Sequence, residues 1–285
     1  MTDNMITAPS GAPSVETGRW ELPPSQSILG AGYMRMPSPA CVHNYLLRGH
    51  DHARVDRKVA AVMLAADPRA RLTARLAHRH RAAAMTYLAE EHGIRQVLVV
   101  GCGYPMRPYV HQVVGRHGPA HVVYADPDPV ALARSRAAMN ARPPSRTGFI
   151  LADLAQPASL TGVLARDTLD FNRPVAVLLH HVLHLMPDPS PLLARLTAML
   201  PSGSALSITH PTGDLHPRHK AAAQAATAAG MPTWLRTQAE VEQLCAGWRL
   251  VRGGVQPVAS WGRGHGASPV SAESCGAYAA LALKP

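Results

Sequence analysis

Val97-Leu98-Val99-Val100-Gly101-Cys102-Gly103-Tyr104-Pro105 is the stretch that decides the fold. Four consecutive aliphatic residues without polar alternation read as a strand covered on both faces, the pattern of a central parallel strand. The glycines on either side of Cys102 let the backbone turn sharply and come close to a ligand. Pro105 suits a first helical position, where its missing N–H leaves nothing unsatisfied. The reading is strand, Gly-rich turn, helix, with helix-start N–H groups above the strand's carboxyl end.

Outward from this turn, a helix carrying Val110, Val113 and Val114 ends at Gly118-Pro119, and His121-Val-Val-Tyr-Ala125 follows as a second strand with Asp126 at its tip. An acidic residue placed about 25 residues after such a turn holds the hydroxyls of a nucleoside ribose. A dinucleotide site wants a third glycine, G-x-G-x-x-G, where this chain has Met106. A phosphate-binding loop wants a Gly-Lys-Ser/Thr that does not follow. A nucleoside cofactor without phosphate fits better, and S-adenosylmethionine is the common one.

The alternation continues along the chain. Thr147 to Leu151 reads as a third strand, Val175 to Leu179 as a fourth and Ala205 to Thr209 as a fifth, with helices over Pro129 to Met139 and Pro191 to Leu200. Trp248 to Arg252 and Tyr278 to Leu283 read as the last two strands, joined through residues 260 to 274. Strands separated by helices imply right-handed βαβ units and an α/β, doubly wound, mostly parallel sheet. Sites in such sheets lie beyond the carboxyl ends of the strands. That rule selects Pro127 beside Asp126, Asp153 after the third strand, the run His180-His181-Val-Leu-His184 after the fourth and His210 after the fifth. Asp153 suits the exocyclic amine of an adenine, with Leu154 against the ring; it equally suits the N-cap of a helix starting near Pro157. His181 and His184 are candidate general bases, because an imidazole titrates near neutrality, or else packing residues of the pocket wall. A zinc site would need further fixed ligands, so no metal is assigned.

Composition sets outer limits. At 285 residues and 47% hydrophobic content the chain can bury a large core. No run approaches 18 uninterrupted apolar residues, and the N-terminus lacks the basic and apolar regions of a signal peptide, so a cytoplasmic protein without a membrane span is expected. Cys41, Cys102, Cys245 and Cys275 lie far apart with no Cys-x-x-Cys. The net charge of +10 comes from 28 basic against 18 acidic residues; lysine occurs only at positions 58, 220 and 284, and the arginines are scattered. Nucleic acid is therefore not the expected partner. The densest basic run, Arg69 to Arg81, recurs at helical spacing, as a solvated helix face or a surface for an anionic substrate or RNA. Residues 1–36, rich in Pro, Gly and Ser, read as a tail or lid. The apolar patch from Pro39 to Leu47 ends in the polar turn Arg48-Gly49-His50-Asp51-His52, and helices follow over Ala53 to Ala66 and Arg69 to Glu91. The expected divisions are thus a cap over 37–94 and a sheet domain over 95–285, with an insert over 211–236 that carries an Ala-rich helix (Lys220 to Ala229) and Trp234.

From about Pro39 to Pro285 the chain resembles the actinomycete-type S-adenosylmethionine-dependent methyltransferases with an N-terminal helical cap. The resemblance is carried by Asn44-Tyr45-Leu46-Leu47 with Gly49 and Asp51 ahead of Asp56-Arg57, and by Gly101-Cys-Gly103 followed by Pro105. Val123-Tyr-Ala-Asp126 with Asp128-Pro129, Ala152-Asp153-Leu154, Asp170 to Val175, and Val182-Leu183-His184 leading to Pro187-Asp188 complete it. It implies a seven-stranded sheet with Gly101, Gly103, Asp126, Asp153 and Leu154 contacting the cofactor, joined by Cys102, Pro127 and His180, and with Tyr45 in the cap above. Where that family has an acidic residue two positions before the first glycine, this chain has Val99. Where it has an Arg-x-Tyr-Asp-Tyr run this chain reads Cys41-Val42-His43-Asn44-Tyr45, and where it has Gly-Gly-Lys-Asp-Asn this chain reads Arg48-Gly49-His50-Asp51-His52, so the pocket is expected to be altered and histidine-rich. The expected activity is methyl transfer from S-adenosylmethionine to a small molecule, as in natural-product tailoring, leaving S-adenosylhomocysteine. His50, Asp51, His210 and Trp234 are expected on the substrate side, and a homodimer is compatible with the reading. The alternatives are a methyltransferase fold turned to another reaction such as cyclisation, a binding partner in an assembly, or RNA methylation, which rests only on the basic charge and requires one contiguous positive face around the cleft.

Overall fold

The structure is a computed structural model, and it describes residues 36–153, 159–160, 162–261 and 270–285. The tail reading, Leu154, the helix near Pro157 and the middle of the 260–274 connection lie outside these residues.

Eight strands form one sheet: β1 (Gln96–Val100), β2 (His121–Asp126), β3 (Arg146–Leu151), β4 (Ala176–His180), β5 (Ala205–Pro211), β6 (Arg249–Leu250), β7 (Gln256–Pro257) and β8 (Ala277–Leu283). Their spatial order is β3-β2-β1-β4-β5-β8-β6, with β7 also paired to β8. The first five run parallel, and β8 is antiparallel to β5, β6 and β7. The expected sheet is thus present with one strand more. β7 has two residues, follows Gly253-Gly254 and contains Pro257, so no periodicity could announce it. β6 is shorter than Trp248 to Arg252, because Gly247 and Arg252 at its ends take positive φ, 81° and 56°.

Alternate residues of each strand feed two cores. Leu98, Val100, Val123, Ala125, Leu179 and Ile208 pack on one face against α7 (Ser190–Met199) and α9 (Gln238–Gln243). Val97, Val99, Val122, Tyr124 and Leu178 pack on the other against α3 (Ala70–Glu91) and α4 (Val110–Val114). All five residues of β1 are buried, as the unbroken aliphatic run requires.

The helix after the glycine turn does not begin at Pro105. It begins at Val110, after an irregular stretch from Tyr104 to Tyr109. A helix starting at Pro105 would put Pro108 at its fourth position, where an N–H must donate, and would hold Arg107 in the α conformation that the following proline disfavours.

The segment read as an apolar patch is helix α1 (Pro39–Leu46), capped by Ser38 with Pro39 in its first turn. The buried carboxylate of Asp56 at the start of α2 (Arg54–Ala66) accepts from Ser38 N (2.9 Å) and Ala53 N (2.7 Å), tying the two helix starts together. The helix of the 211–236 segment, α8 (Pro217–Ala228), starts earlier than Lys220 because His216 caps it. Val42 and Leu46 of α1, Val59 and Ala60 of α2, Ala74 of α3 and Ala226 of α8 form a separate apolar cluster. The helices therefore make a roof with a core of its own.

Leu98, fully buried at the sheet centre, measures the core. Leu98→Ala should destabilise the protein by about 2–5 kcal/mol in urea unfolding.

Candidate active site

β1 lies between β2 and β4, so the chain leaves β1 and β4 in opposite directions and a crevice opens above their carboxyl ends. The roof closes that crevice into a cavity of about 270 Å³. Its floor is the Gly101–Gly103 turn, Asp126 to Asp128 and His180 to Val182, and its roof comes from α1, α2, α3 and α8.

The conformation of the turn and its packing against Val182 require glycine. Gly101 and Gly103 have φ of 67° and 61°, and a Cβ on Gly101 would lie 2.5 Å from Val182 Cγ2. Asp126 fixes the turn, since its Oδ2 accepts from Gly103 N (2.7 Å) and its Oδ1 from Asp128 N (2.9 Å). Asp128 in turn caps α5 (Pro129–Ala138) through Val130 N (2.8 Å) and Ala131 N (3.2 Å). Burial pushes the Asp126 carboxyl up to about 6 against the pull of these two N–H groups. A carboxylate offers about four lone-pair sites, so two accepted bonds leave room for two hydroxyls of a ligand.

Three imidazoles gather on the far side of the turn. The ring of His43, on α1, is 5.1 Å from that of His181, which is 5.9 Å from that of His184. None of the three rings makes a hydrogen bond to a described residue. His184 Nδ1 is buried without a partner. His181 sits just past β4 with φ of 52°, an unusual conformation for a side chain of this size, held by its N–H to Thr209 O (3.0 Å). Burial pulls His181 down to about 4, and His43 and His184 well below their ordinary value, so all are neutral imidazoles at pH 7.

Of the residues singled out from sequence, Gly101, Cys102, Gly103, Asp126, Pro127, His180, His181 and His184 come together in the cavity wall. The other described ones do not line it. Tyr45 stacks under Arg71 (4.6 Å) and against His52. His50 is exposed, and Asp51 faces Arg134 at 3.8 Å. Asp153 is exposed beyond β3. Trp234 is 39% exposed, and its backbone N–H donates to His184 O (2.9 Å).

His210 is buried behind His184. Its Nδ1 donates to Pro211 O (2.7 Å) and its Nε2 accepts from Arg236 (2.9 Å), so both ring nitrogens are committed to the protein. Arg236 also donates to the carbonyls of Leu183, Met186 and Pro187 at 3.0–3.1 Å, clamping the turn that carries His184.

Sequence reasoning missed His43, His78, Arg81 and the pair Asp67–His219, all in the wall. His219 Nδ1 meets Asp67 Oδ2 at 2.8 Å, joining α8 to the end of α2. For Arg81 the signal is the spacing of Thr73, Ala77 and Arg81, one helical face of α3 turned inward, while Arg75 and Arg79 of the same basic run are exposed.

The fold and site define a class I methyltransferase. A family model described as S-adenosyl methyltransferase matches residues 33–285. The chain belongs to that family, and it is an S-adenosylmethionine-dependent methyltransferase. Among solved structures it is similar to a DUF574 family protein from Streptomyces avermitilis, with TM-score 0.84 and 32% identity over 88% of this chain and 99% of the other. It is also similar to a protein of Thermobifida fusca presented as a candidate methyltransferase, with TM-score 0.81 and 29% identity over 87% and 95% of the two chains. The plantazolicin methyltransferase BamL with S-adenosylhomocysteine, at 11% identity and TM-score 0.52 over 86% and 95%, shares the fold. No curated protein matches the sequence. The positive-φ glycine turn, and a buried carboxylate with spare acceptor sites beside it, fit a nucleoside cofactor.

The neutral cluster leaves a pH signature. His43, His181, His184 and His210 all titrate lower in the folded protein than the ordinary 6.5. The unfolded chain therefore takes up protons first, and the stability these residues contribute is complete above pH 6.5 and lost as pH falls toward 4. Urea unfolding between pH 7 and 5 should show stability dropping by up to about 1.4 kcal/mol per pH unit for each histidine, a slope that His184→Asn reduces.

Proposed function

We propose that this methyltransferase acts on a small molecule with an apolar body, in the manner of an enzyme that tailors a natural product. The observation that carries this reading is a partly open cavity roofed by helices, in which the cofactor-type turn and three imidazoles without described partners share the walls. Apolar side chains such as Leu46, Leu47, Met63, Ala74, Leu185 and Met231 make most of the remaining surface. Among the described residues Arg81 is the one Arg or Lys in that wall, which favours a small acceptor over RNA. In this reading residues 37–94 act as the helical cap over a methyltransferase domain, as the cluster shared by α1, α2 and α8 supports.

S-adenosylmethionine supplies a methyl group already activated on a sulfonium. What remains for the protein is alignment and exclusion of water. Gly101, Cys102 and Gly103 give the cofactor a close surface, and Asp126 accepts its ribose hydroxyls. His181 and His184 hold the acceptor and take up its proton as the new bond forms. As weak bases they suit an acceptor acidic enough to surrender that proton readily, such as a carboxylic acid or an acidic phenol. Arg236, outside the cavity wall, keeps the 183–187 turn in place.

Calorimetry with S-adenosylmethionine and S-adenosylhomocysteine tests the reading: micromolar binding of both supports it, and no heat at millimolar ligand overturns it. Asp126→Ala should weaken S-adenosylhomocysteine by at least about 100-fold, since two hydroxyls lose a charged partner. Wild-type affinity should hold above pH 6 and fall about tenfold per unit below it, as the carboxylate takes up its proton.

A further inference from the structure

Arg81 is a cation in the cavity wall with no anion beside it among the described residues. Its Nη2 donates to Met106 O (3.2 Å) and Pro108 O (3.4 Å) and faces His78 Nδ1 at 3.2 Å. Its Nη1 and Nε make no hydrogen bond to a described residue, and no described carboxylate lies within 4.0 Å of it. The ionisable groups near enough to act on it, or to be acted on by it, are Cys102, Tyr124, His43, His78 and His180, all neutral at pH 7. Burial alone lowers its hold on its proton. A half-buried guanidinium that turns its free nitrogens to a cavity, with no counter-ion among the described residues, is placed to take the charge of a ligand.

The place of this cation says which charge. Arg81 lies within electrostatic reach of Cys102, in the middle of the glycine turn, while Asp126 grips that turn from the β2 side. A helix beginning directly after the turn would offer an anion its N-terminal N–H groups, but here the helix starts only at Val110. The stretch between carries no helix dipole. Arg81 instead reaches over from α3 and uses one nitrogen to support that stretch at Met106 and Pro108, leaving the rest of its fork free.

We propose that Arg81 binds the α-carboxylate at the amino-acid end of S-adenosylmethionine, opposite the ribose held by Asp126. The assignment rests on the methyltransferase reading above and deepens it. It makes the cofactor span two charged anchors, a carboxylate for its sugar and a guanidinium for its tail. Lysine cannot serve both ends of the arrangement, because a single ammonium lacks the planar fork that supports the 106–108 stretch and a carboxylate together.

The experiment compares S-adenosylhomocysteine with its decarboxylated analogue, which lacks only that carboxylate, by calorimetry on the full chain. The wild-type protein should prefer S-adenosylhomocysteine by about 10- to 100-fold. Arg81→Gln should bring the two ligands within about threefold of each other, and Arg81→Lys should lie between. Because the ratio is taken within one variant, a general loosening of the 106–108 stretch cancels. Equal binding of the two ligands by wild type overturns the proposal without any variant having to fold, and so does a preference that survives in Arg81→Gln. The latter result would assign the guanidinium to a carboxylate on the acceptor instead. Failure of wild type to bind either ligand would sink the methyltransferase reading itself, a distinct outcome.

Discussion

The two hydrogen bonds accepted by Asp126 hold the functional half of this molecule together. One reaches across from β2 to the glycine turn of β1, and the other folds its own strand end toward the cap of α5. Without a carboxylate there, Gly103 would keep a buried N–H with no partner, and the turn would have no reason to prefer its positive-φ conformation over a wider loop. Burial that raises the affinity of Asp126 for a proton is the cost of the arrangement. The same burial makes each accepted bond stronger than it would be in water.

Polar groups elsewhere in the site follow a division of labour. His210 and Arg236 satisfy each other and the carbonyls of the 183–187 turn, so they are structural polar groups with complete partners. His43, His181 and His184 are left incomplete and sit around the cavity. Their ring nitrogens face a space in which a ligand or water can complete them. The apolar roof of α1, α2 and α8 lowers the polarity around those imidazoles.

The sheet was readable because aliphatic runs such as Val97–Val100 and Val175–Leu179 are long enough to carry their own pattern, and Asp126 because a strand tip after a glycine turn has few other uses. Three parts were not. The delayed start of α4 depends on Pro108 three residues beyond Pro105, a steric rule that the attractive first-turn proline obscured. β7 exists only because β8 offers it an edge, a tertiary cause without local trace. Arg81 lay within a run of basic residues that read as one surface, and only the phase of α3 separates it from exposed Arg75 and Arg79. His210 looked equivalent to His184 in sequence, since both follow a strand. The difference is a neighbour 26 residues away, Arg236, that takes up one of its nitrogens.

β8 occupies an interior slot, between β5 and β6, with all seven residues buried, although it follows every other element described in the chain. During synthesis β5 must wait with an open edge while some 65 further residues are added. An unpaired strand of that kind is a docking place for any other extended segment. The protein thus closes its own adhesive seam with a piece made well after β5, and a nascent chain halted before Ala277 would carry that seam exposed.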